Sequence, residues 1–382
     1  MHLVMPVIPH YRVSLFDCLA RRPNLTFSAQ ASRRFPGLPQ SVAALPEWGD
    51  LDVPCRALLG ERLFWQKNLR LPEGFSRGDV LIVIGNPRML SNFPLAWRAK
   101  KLGAGIVWWG HGWSSTSKAW RAALRYRLMN VADAVLLYTK SEVANLKPLS
   151  HRLPPMLSVD NALDQAPIRS AIAQWSASRL ATFKAAQGID EARVLLFCGR
   201  LRADPPTGLD VALHALAGLH GDFGNLRLCI IGGGDEEVRL RRLAERLGVG
   251  KWVIWVGEMY DEVSLAPWFL SSSVFLYPGT IGLSLLHAFG YGLPVVTHCD
   301  RRLHGPEIAA LEDGKNGLLF IRNDSRDLAL KLSALLKDEA MRRVMAANAL
   351  DTVNSEYTLE HMVENLEVAI KLASKRGVER SG

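Results

Sequence analysis

The residue types best suited to chemistry gather in one turn. An apolar run, Val274 to Tyr277, stops at Pro278-Gly279; Thr280, Ile281 and Gly282 follow. Leu283 to Tyr291 then reads as a helix that ends at Gly292, before a second apolar run from Pro294 to Thr297. Strand, turn, helix, strand is half of a nucleotide-binding α/β unit. The turn from Gly279 to Gly282 would present unpaired N–H groups, the Thr280 hydroxyl and the positive end of a helix dipole at one spot, which makes an anion site. Arg200, with Gly199, ends another apolar run, Val194 to Cys198. Ligands of open α/β sheets sit outside the carboxyl ends of strands, and an arginine there can grip a diphosphate in bidentate geometry without losing its charge. His111 follows the run Ile106 to Trp109 and lies between Gly110 and Gly112, on a turn open to close approach.

The elements that must position these groups alternate along the chain. Expected strands in the first half are Leu3 to Ile8, Val80 to Ile84, Ala104 to Trp109 and Ala134 to Tyr138, with a helix near Val13 to Ala20. In the second half they are Arg193 to Phe197, Leu226 to Ile231, Val253 to Val256, Val274 to Tyr277, Val295 to Thr297 and Leu318 to Phe320. Such alternation means parallel sheets flanked by helices. The second of these strands runs into Gly232-Gly233-Gly234-Asp235, where glycines allow backbone or ligand to come close and Asp235 can cap a helix. It is not the dinucleotide fingerprint, which needs G-x-G-x-x-G at the start of its domain.

The chain has 382 residues, too long for one ordinary core and suited to two domains of roughly 150 to 200 residues each. The expected boundary falls after Asn161 to Asp164, where a polar helical piece, Ile168 to Gln187, carries the chain across: residues 1–165, then 166–357, then a C-terminal helix over 358–382 returning to the first domain. With 48% hydrophobic and 22% charged residues the composition is globular. No uncharged apolar stretch is long enough to span a bilayer, and the N-terminus reads as a buried strand rather than a signal peptide, which favours the cytoplasm. Five scattered cysteines without C-x-x-C indicate neither a disulfide framework nor a zinc site.

The net charge of +9 divides unevenly. Residues 1–150 hold 20 Lys and Arg against 9 Asp and Glu, a net of +11, so the basicity lies wholly in the first half. Lys118, Trp120, Arg121, Arg125, Tyr126 and Arg127 fall on one expected helix just after Trp108, Trp109 and Trp113. Cations with interfacial aromatics suit an anionic membrane surface, and a solvated helix face on a basic protein is the plainer reading. No nucleic-acid-binding motif accompanies the charge, so no nucleic-acid partner is expected.

Taken in order, CGR at 198–200, GGGDEE at 232–237, VGE at 256–258, the segment from Tyr277 to Val296 and EDGKNGLLF at 312–320 resemble the C-terminal domain of family 4 retaining glycosyltransferases. The N-terminal half matches more loosely, through PHYRVSLFDCLA from Pro9 and WWGHGW from Trp108. The resemblance implies the GT-B fold, two Rossmann-like α/β/α domains facing across a cleft, with an acceptor-binding first domain and a donor-binding second one. It implies that Arg200 holds the diphosphate of a nucleotide sugar, with Gly199, Gly257, Glu258, Thr280 and the amides of Gly282, Leu283 and Ser284 around the donor. His111 would touch the transferring sugar as a catalytic group, and His10, Tyr11 and Arg12, at the end of the first strand, would face the acceptor or the diphosphate. Where the family has two carboxylates, eight residues apart, this chain has Gly279 and His287; where it has a lysine, this chain has Thr207. His287 can still hydrogen-bond a ribose hydroxyl. His304 and Glu307, on the loop after the neighbouring strand, are the candidates to contact the donor sugar instead, and Glu307 equally suits the first turn of a helix.

The expected reaction moves a hexose or deoxyhexose, with retention, from a nucleotide diphosphate sugar to a hydroxyl of a saccharide or lipid-linked saccharide. The expected setting is bacterial surface polysaccharide synthesis, in the cytoplasm or peripherally on the inner face of the membrane. No cofactor or metal is expected, because the reaction the resemblance implies requires none. The lost carboxylates keep a second expectation open, a nucleotide-sugar-binding protein without catalysis.

Overall fold

A computed structural model describes residues 1–38, 40–112 and 119–380; side chains are described from residue 122 onward in the helix that begins at Ala119. Trp113 and Lys118, and the side chains of Trp120 and Arg121, lie outside the described residues. The chain divides into two compact units, Met1–Asp164 with Leu359–Gly382, and Gln165–Thr358.

The first unit is built on a parallel sheet. Its strands are β1 (His2–Met5), β2 (Ser28–Ala31), β3 (Gly49–Asp50), β6 (Val80–Ile84), β7 (Gly105–Trp109), β8 (Ala134–Leu137) and β9 (Met156–Ser158), with a separate antiparallel hairpin of β4 (Cys55–Leu58) and β5 (Leu63–Gln66). Among the described residues the sheet order is β3-β2-β1-β6-β7-β8-β9. The direction of winding therefore reverses between β1 and β6. The inner strands, VLIVI and GIVWW, are continuous apolar runs because helices cover both faces of a parallel sheet. The helices are α1 (His10–Ala20), α2 (Asn92–Lys101), α3 (Ala119–Met129), α4 (Lys140–Leu146) and α13 (Leu359–Arg380).

Helix α13 is part of this core. Its Met362, Val363, Leu366 and Ile370 are buried with Leu3, Ile82, Val107 and Leu136. At about 1.5–3 kcal/mol for a fully buried large aliphatic side chain, these four are worth roughly the whole net stability of a domain. Gly377 lets α13 come against the backbone of Ala104 and Gly105, where a Cβ would collide.

The second unit has strands β10 (Arg193–Cys198), β11 (Leu226–Ile231), β12 (Val253–Gly257), β13 (Val274–Leu276), β14 (Val295–His298) and β15 (Gly317–Phe320), all parallel, in the order β12-β11-β10-β13-β14-β15. Winding reverses between β10 and β13. Around the sheet lie α5 (Ala166–Ala173), α6 (Ala177–Ala186), α7 (Leu209–Leu219), α8 (Glu237–Arg246), α9 (Glu262–Leu270), α10 (Ser284–Gly290), α11 (Ser325–Lys337) and α12 (Glu339–Ser355). The expected single helix over 168–187 is two helices, broken where the Ser176 hydroxyl caps α6 by accepting from Arg179 N–H. Among the described residues no helix is long and apolar enough to cross a membrane.

Candidate active site

Reversal of winding leaves a crevice at the carboxyl ends of the two strands involved, because the connecting loops diverge to opposite faces. In the second unit those strands are β10 and β13, and the loops that leave them carry Arg200 and the turn from Gly279 to Gly282. Around β10 the loops are tied by backbone: Gly199 N–H donates to Ile231 O (2.9 Å), Leu201 N–H to Gly233 O (2.9 Å) and Gly232 N–H to Gly257 O (2.8 Å). Gly199 lies against Tyr277, whose ring stacks on Phe197 at 4.9 Å. Arg200 projects from this framework, exposed, with no hydrogen bond or ion pair among the described residues. Glu258, exposed, accepts a 3.0 Å hydrogen bond from the Tyr260 hydroxyl, and Tyr260 itself is 85% exposed beside Arg200. Residue spacing gave no reason to single out that ring.

His304 holds the turn after β13 from below. Its Nδ1 accepts from Ile281 N–H (3.1 Å), its Nε2–H donates to His298 O (2.9 Å), and its ring stacks on His298 at 3.9 Å. Gly305 N–H also donates to Ile281 O (2.7 Å), so the Ile281 residue is held at both its N–H and its carbonyl. Burial pushes the His304 pKa down, consistent with a neutral ring accepting at one nitrogen and donating at the other. Both nitrogens are thus spent on backbone. His304 positions the turn, and the expectation that it contacts the donor sugar is corrected accordingly. Glu307 lies in a single 3-10 turn, Pro306–Ala310, only 4% exposed, with its carboxylate packed against Gly305 and near Gly282. Thr280, Gly282, Leu283 and Ser284 remain partly exposed at the mouth. Helix α10 has seven residues, shorter than its pattern suggested, so the amides of the turn matter more than the dipole.

The two positions without carboxylates have different explanations. At Gly279 a Cβ would collide with the Pro206 carbonyl and the Thr207 backbone, and Gly208, held at φ +68°, packs in return against Pro278 and Gly279. Two loops touch backbone to backbone where a longer side chain would begin. His287 does not reach out to solvent. Its Nε2–H donates to Glu262 Oε1 (2.9 Å), which also accepts from the Tyr291 hydroxyl (2.6 Å), while Phe269 meets the imidazole edge-on at 4.6 Å. Burial tends to raise the Glu262 carboxyl, but the hydrogen bonds from His287 and Tyr291 and the nearby imidazole hold it below its ordinary value. Through Nε2 the ring orients a carboxylate from α9, and Nδ1, with no hydrogen bond among the described residues, is the nitrogen left for a ligand hydroxyl. Glu262 comes from another element, so no spacing within the α10 segment could reveal it.

In the first unit His111 stands after β7 on a half-exposed ring, its Nδ1 3.2 Å from Glu142 Oε1 and its face 4.4 Å from Tyr138. Glu142 is fixed in turn by Tyr138 N–H (2.9 Å), and its own N–H caps on Thr139 Oγ1 (3.1 Å). The Thr139-x-x-Glu142 spacing of a capping box was the available signal for it. With the carboxylate on Nδ1–H, Nε2 is the nitrogen left open. His10, Tyr11 and Arg12 are not at a strand end as expected, since they form the first turn of α1: His10 is exposed, Tyr11 half-buried and Arg12 buried. On α3, Arg127 is exposed, but Arg125 is half-buried with Nε and Nη1 sealed and unbonded, which is not how a solvated or membrane-facing cation sits. Among the described residues no group of three or more His, Cys, Asp or Glu is placed to hold a metal ion.

In both units the parallel strands run in the order 3-2-1 and then onward, the architecture of the GT-B class. Solved structures agree: a glycosyltransferase from Rickettsia africae superposes with a TM-score of 0.69 at 12% identity over 97% of each chain. HepE of Anabaena, solved in complex with UDP, gives 0.61 at 18% identity over 78% of this chain and 79% of its own. Residues 181–352 match the family described as glycosyl transferases group 1. Among curated relatives, a phosphatidyl-myo-inositol mannosyltransferase of Mycobacterium leprae is 34% identical over 165 residues, 41% of this chain and 41% of its own length. The chain thus matches about two fifths of the length of such a relative.

Proposed function

We propose that the chain is a retaining glycosyltransferase that takes its sugar from a nucleotide diphosphate donor and passes it to a hydroxyl of a saccharide or lipid-linked acceptor. The observation that carries this is Arg200, an unpaired guanidinium at the carboxyl end of β10, beside the open turn after β13 at the point where winding reverses. In the reaction the bond from the anomeric carbon to the diphosphate oxygen breaks as the bond to the acceptor oxygen forms. Negative charge grows on the leaving phosphate, where Arg200 and the amides of Gly282, Leu283 and Ser284 meet it, and that phosphate takes the acceptor's proton. Glu262 Oε2, left free by the bonds to Oε1, is the acceptor we assign to a hydroxyl of the donor. To His111, through Nε2, we assign the first unit's part in the transfer. Synthesis of a bacterial surface polysaccharide, at the inner face of the membrane, is the setting this reading favours.

Calorimetry with UDP-, GDP- and dTDP-sugars identifies the donor, and turnover is then followed with Arg200→Ala. We expect transfer to fall by roughly 100-fold or more with an unchanged melting temperature; near-normal turnover would sink the diphosphate assignment. Gly279, whose side-chain space is filled by backbone, favours one other reading, a nucleotide-sugar-binding protein without catalysis. Donor binding with neither hydrolysis nor transfer across a wide acceptor panel would decide for it.

A further inference from the structure

We infer that the first unit carries an oxyanion site of its own, centred on Arg12, and that its ligand is the phosphate ester of a phosphorylated acceptor. The identity of the acceptor rests on the glycosyl-transfer reading above; the anion site does not. Arg12 is 6% exposed, yet among the described residues no carboxylate pairs with it. Its Nη1 meets only the Met362 sulfur, at 3.6 Å, and its guanidinium carbon lies 5.3 Å from the Trp109 ring and 5.5 Å from that of Tyr11. A thioether is a weak acceptor, and aromatic faces offset only part of the cost of taking a permanent cation out of water. A buried guanidinium with no counter-ion is a group whose counter-ion arrives from outside.

The surroundings say what kind of ligand it takes. Nε and Nη2 have no partner and are not among the nitrogens sealed from solvent, so one edge of the fork stays open. Arg12 follows β1, one of the two strands between which the first unit's winding reverses. It belongs to the first turn of α1, a helix of 11 residues with Pro9 at its N-cap, no side-chain cap and no acidic residue in that turn. The indole N–H of Trp109, buried, also lacks a partner. The open edge of the guanidinium offers only donors and carries a full positive charge, which suits an oxyanion that a planar fork can grip with two bonds. The second unit has Arg200 and its own turn for a donor diphosphate, so the anion at Arg12 is assigned to the other substrate.

The test uses the full chain and three kinds of probe: inorganic phosphate, glycerol 1-phosphate and the nucleotides UDP, GDP and dTDP. Phosphate and glycerol 1-phosphate should bind wild type and Arg200→Ala alike and lose at least tenfold in affinity in Arg12→Met, while nucleotide affinity is unchanged by that substitution. In phosphate-free buffer Arg12→Met should melt no lower than wild type, because an unpaired buried cation has been removed, and added phosphate should raise the melting temperature of wild type alone. Phosphate binding that survives Arg12→Met, or a variant several degrees less stable with no phosphate effect on wild type, would overturn the site. Binding of free phosphate but not of glycerol 1-phosphate would overturn the ester assignment. If wild type binds phosphate through Arg12 and none of UDP, GDP and dTDP, the glycosyl-transfer reading fails and the anion site stands; nucleotide binding without any phosphate site removes this inference alone.

Discussion

Glu262 has two carboxylate oxygens, and the structure uses one. Oε1 takes both the His287 and the Tyr291 hydrogen bonds, which fixes the plane of the group and keeps it ionised. Oε2 is then an oriented acceptor at a partly exposed position, and a hydrogen bond from a ligand hydroxyl to a charged acceptor is worth about 1.5–3 kcal/mol. Glu262→Gln should therefore weaken donor binding by roughly 10- to 100-fold, read by calorimetry, and His287→Ala should weaken it less, since the carboxylate survives but is no longer held. Equal donor affinity in wild type and Glu262→Gln would show that the carboxylate serves packing only. The same local logic runs through His111 and Glu142. In both places a histidine visible in the sequence is paired with a glutamate from another element, so no spacing around the histidine reveals the pair.

At the scale of elements, the contact between the loop after β10 and the loop after β13 decides what can occupy position 279. Gly279→Glu would restore a carboxylate in sequence, but its Cβ would meet the backbone of Pro206 and Thr207, and backbone cannot swing aside as a side chain can. We expect a loss of about 1–3 kcal/mol, a fall in melting temperature of several degrees, and no gain in donor affinity. Improved binding would mean that the loops part readily. Strands β6, β7, β10, β11 and β14 were legible because unbroken apolar runs have few other uses in a chain of this composition. Ser28–Ala31, Gly49–Asp50 and the Cys55–Gln66 hairpin were not, being short, and in the case of Ser-Ala-Gln-Ala lacking β-branched or aromatic residues. The turn after β13 was legible as a turn from its glycines. What pins it, His304 reaching back between strands, depends on the order of strands in the sheet.

For the whole molecule, two buried imidazoles set a lower bound on the pH range of stability. Burial is the main cause that pushes His2 down to about 4 from an ordinary 6.5, and the same holds for His298, where the neighbouring His304 adds to it. Between those values the unfolded chain binds more protons than the folded one, so stability is complete above about pH 6.5 and is lost as the pH falls toward 4. The melting temperature should drop through that window, and His298→Asn, which can still accept from Asp300 N–H, should flatten the drop by about 1–3 kcal/mol. Identical pH profiles for variant and wild type would remove His298 from the cause. The division of the chain has a consequence of its own for how the protein is made. The first unit owns both ends of the sequence, and α13 supplies Met362, Val363, Leu366 and Ile370 to its core. On a ribosome those residues emerge only after the whole second unit has been synthesised, so the later unit is the first that can finish folding, while the earlier one waits with its apolar sheet face uncovered.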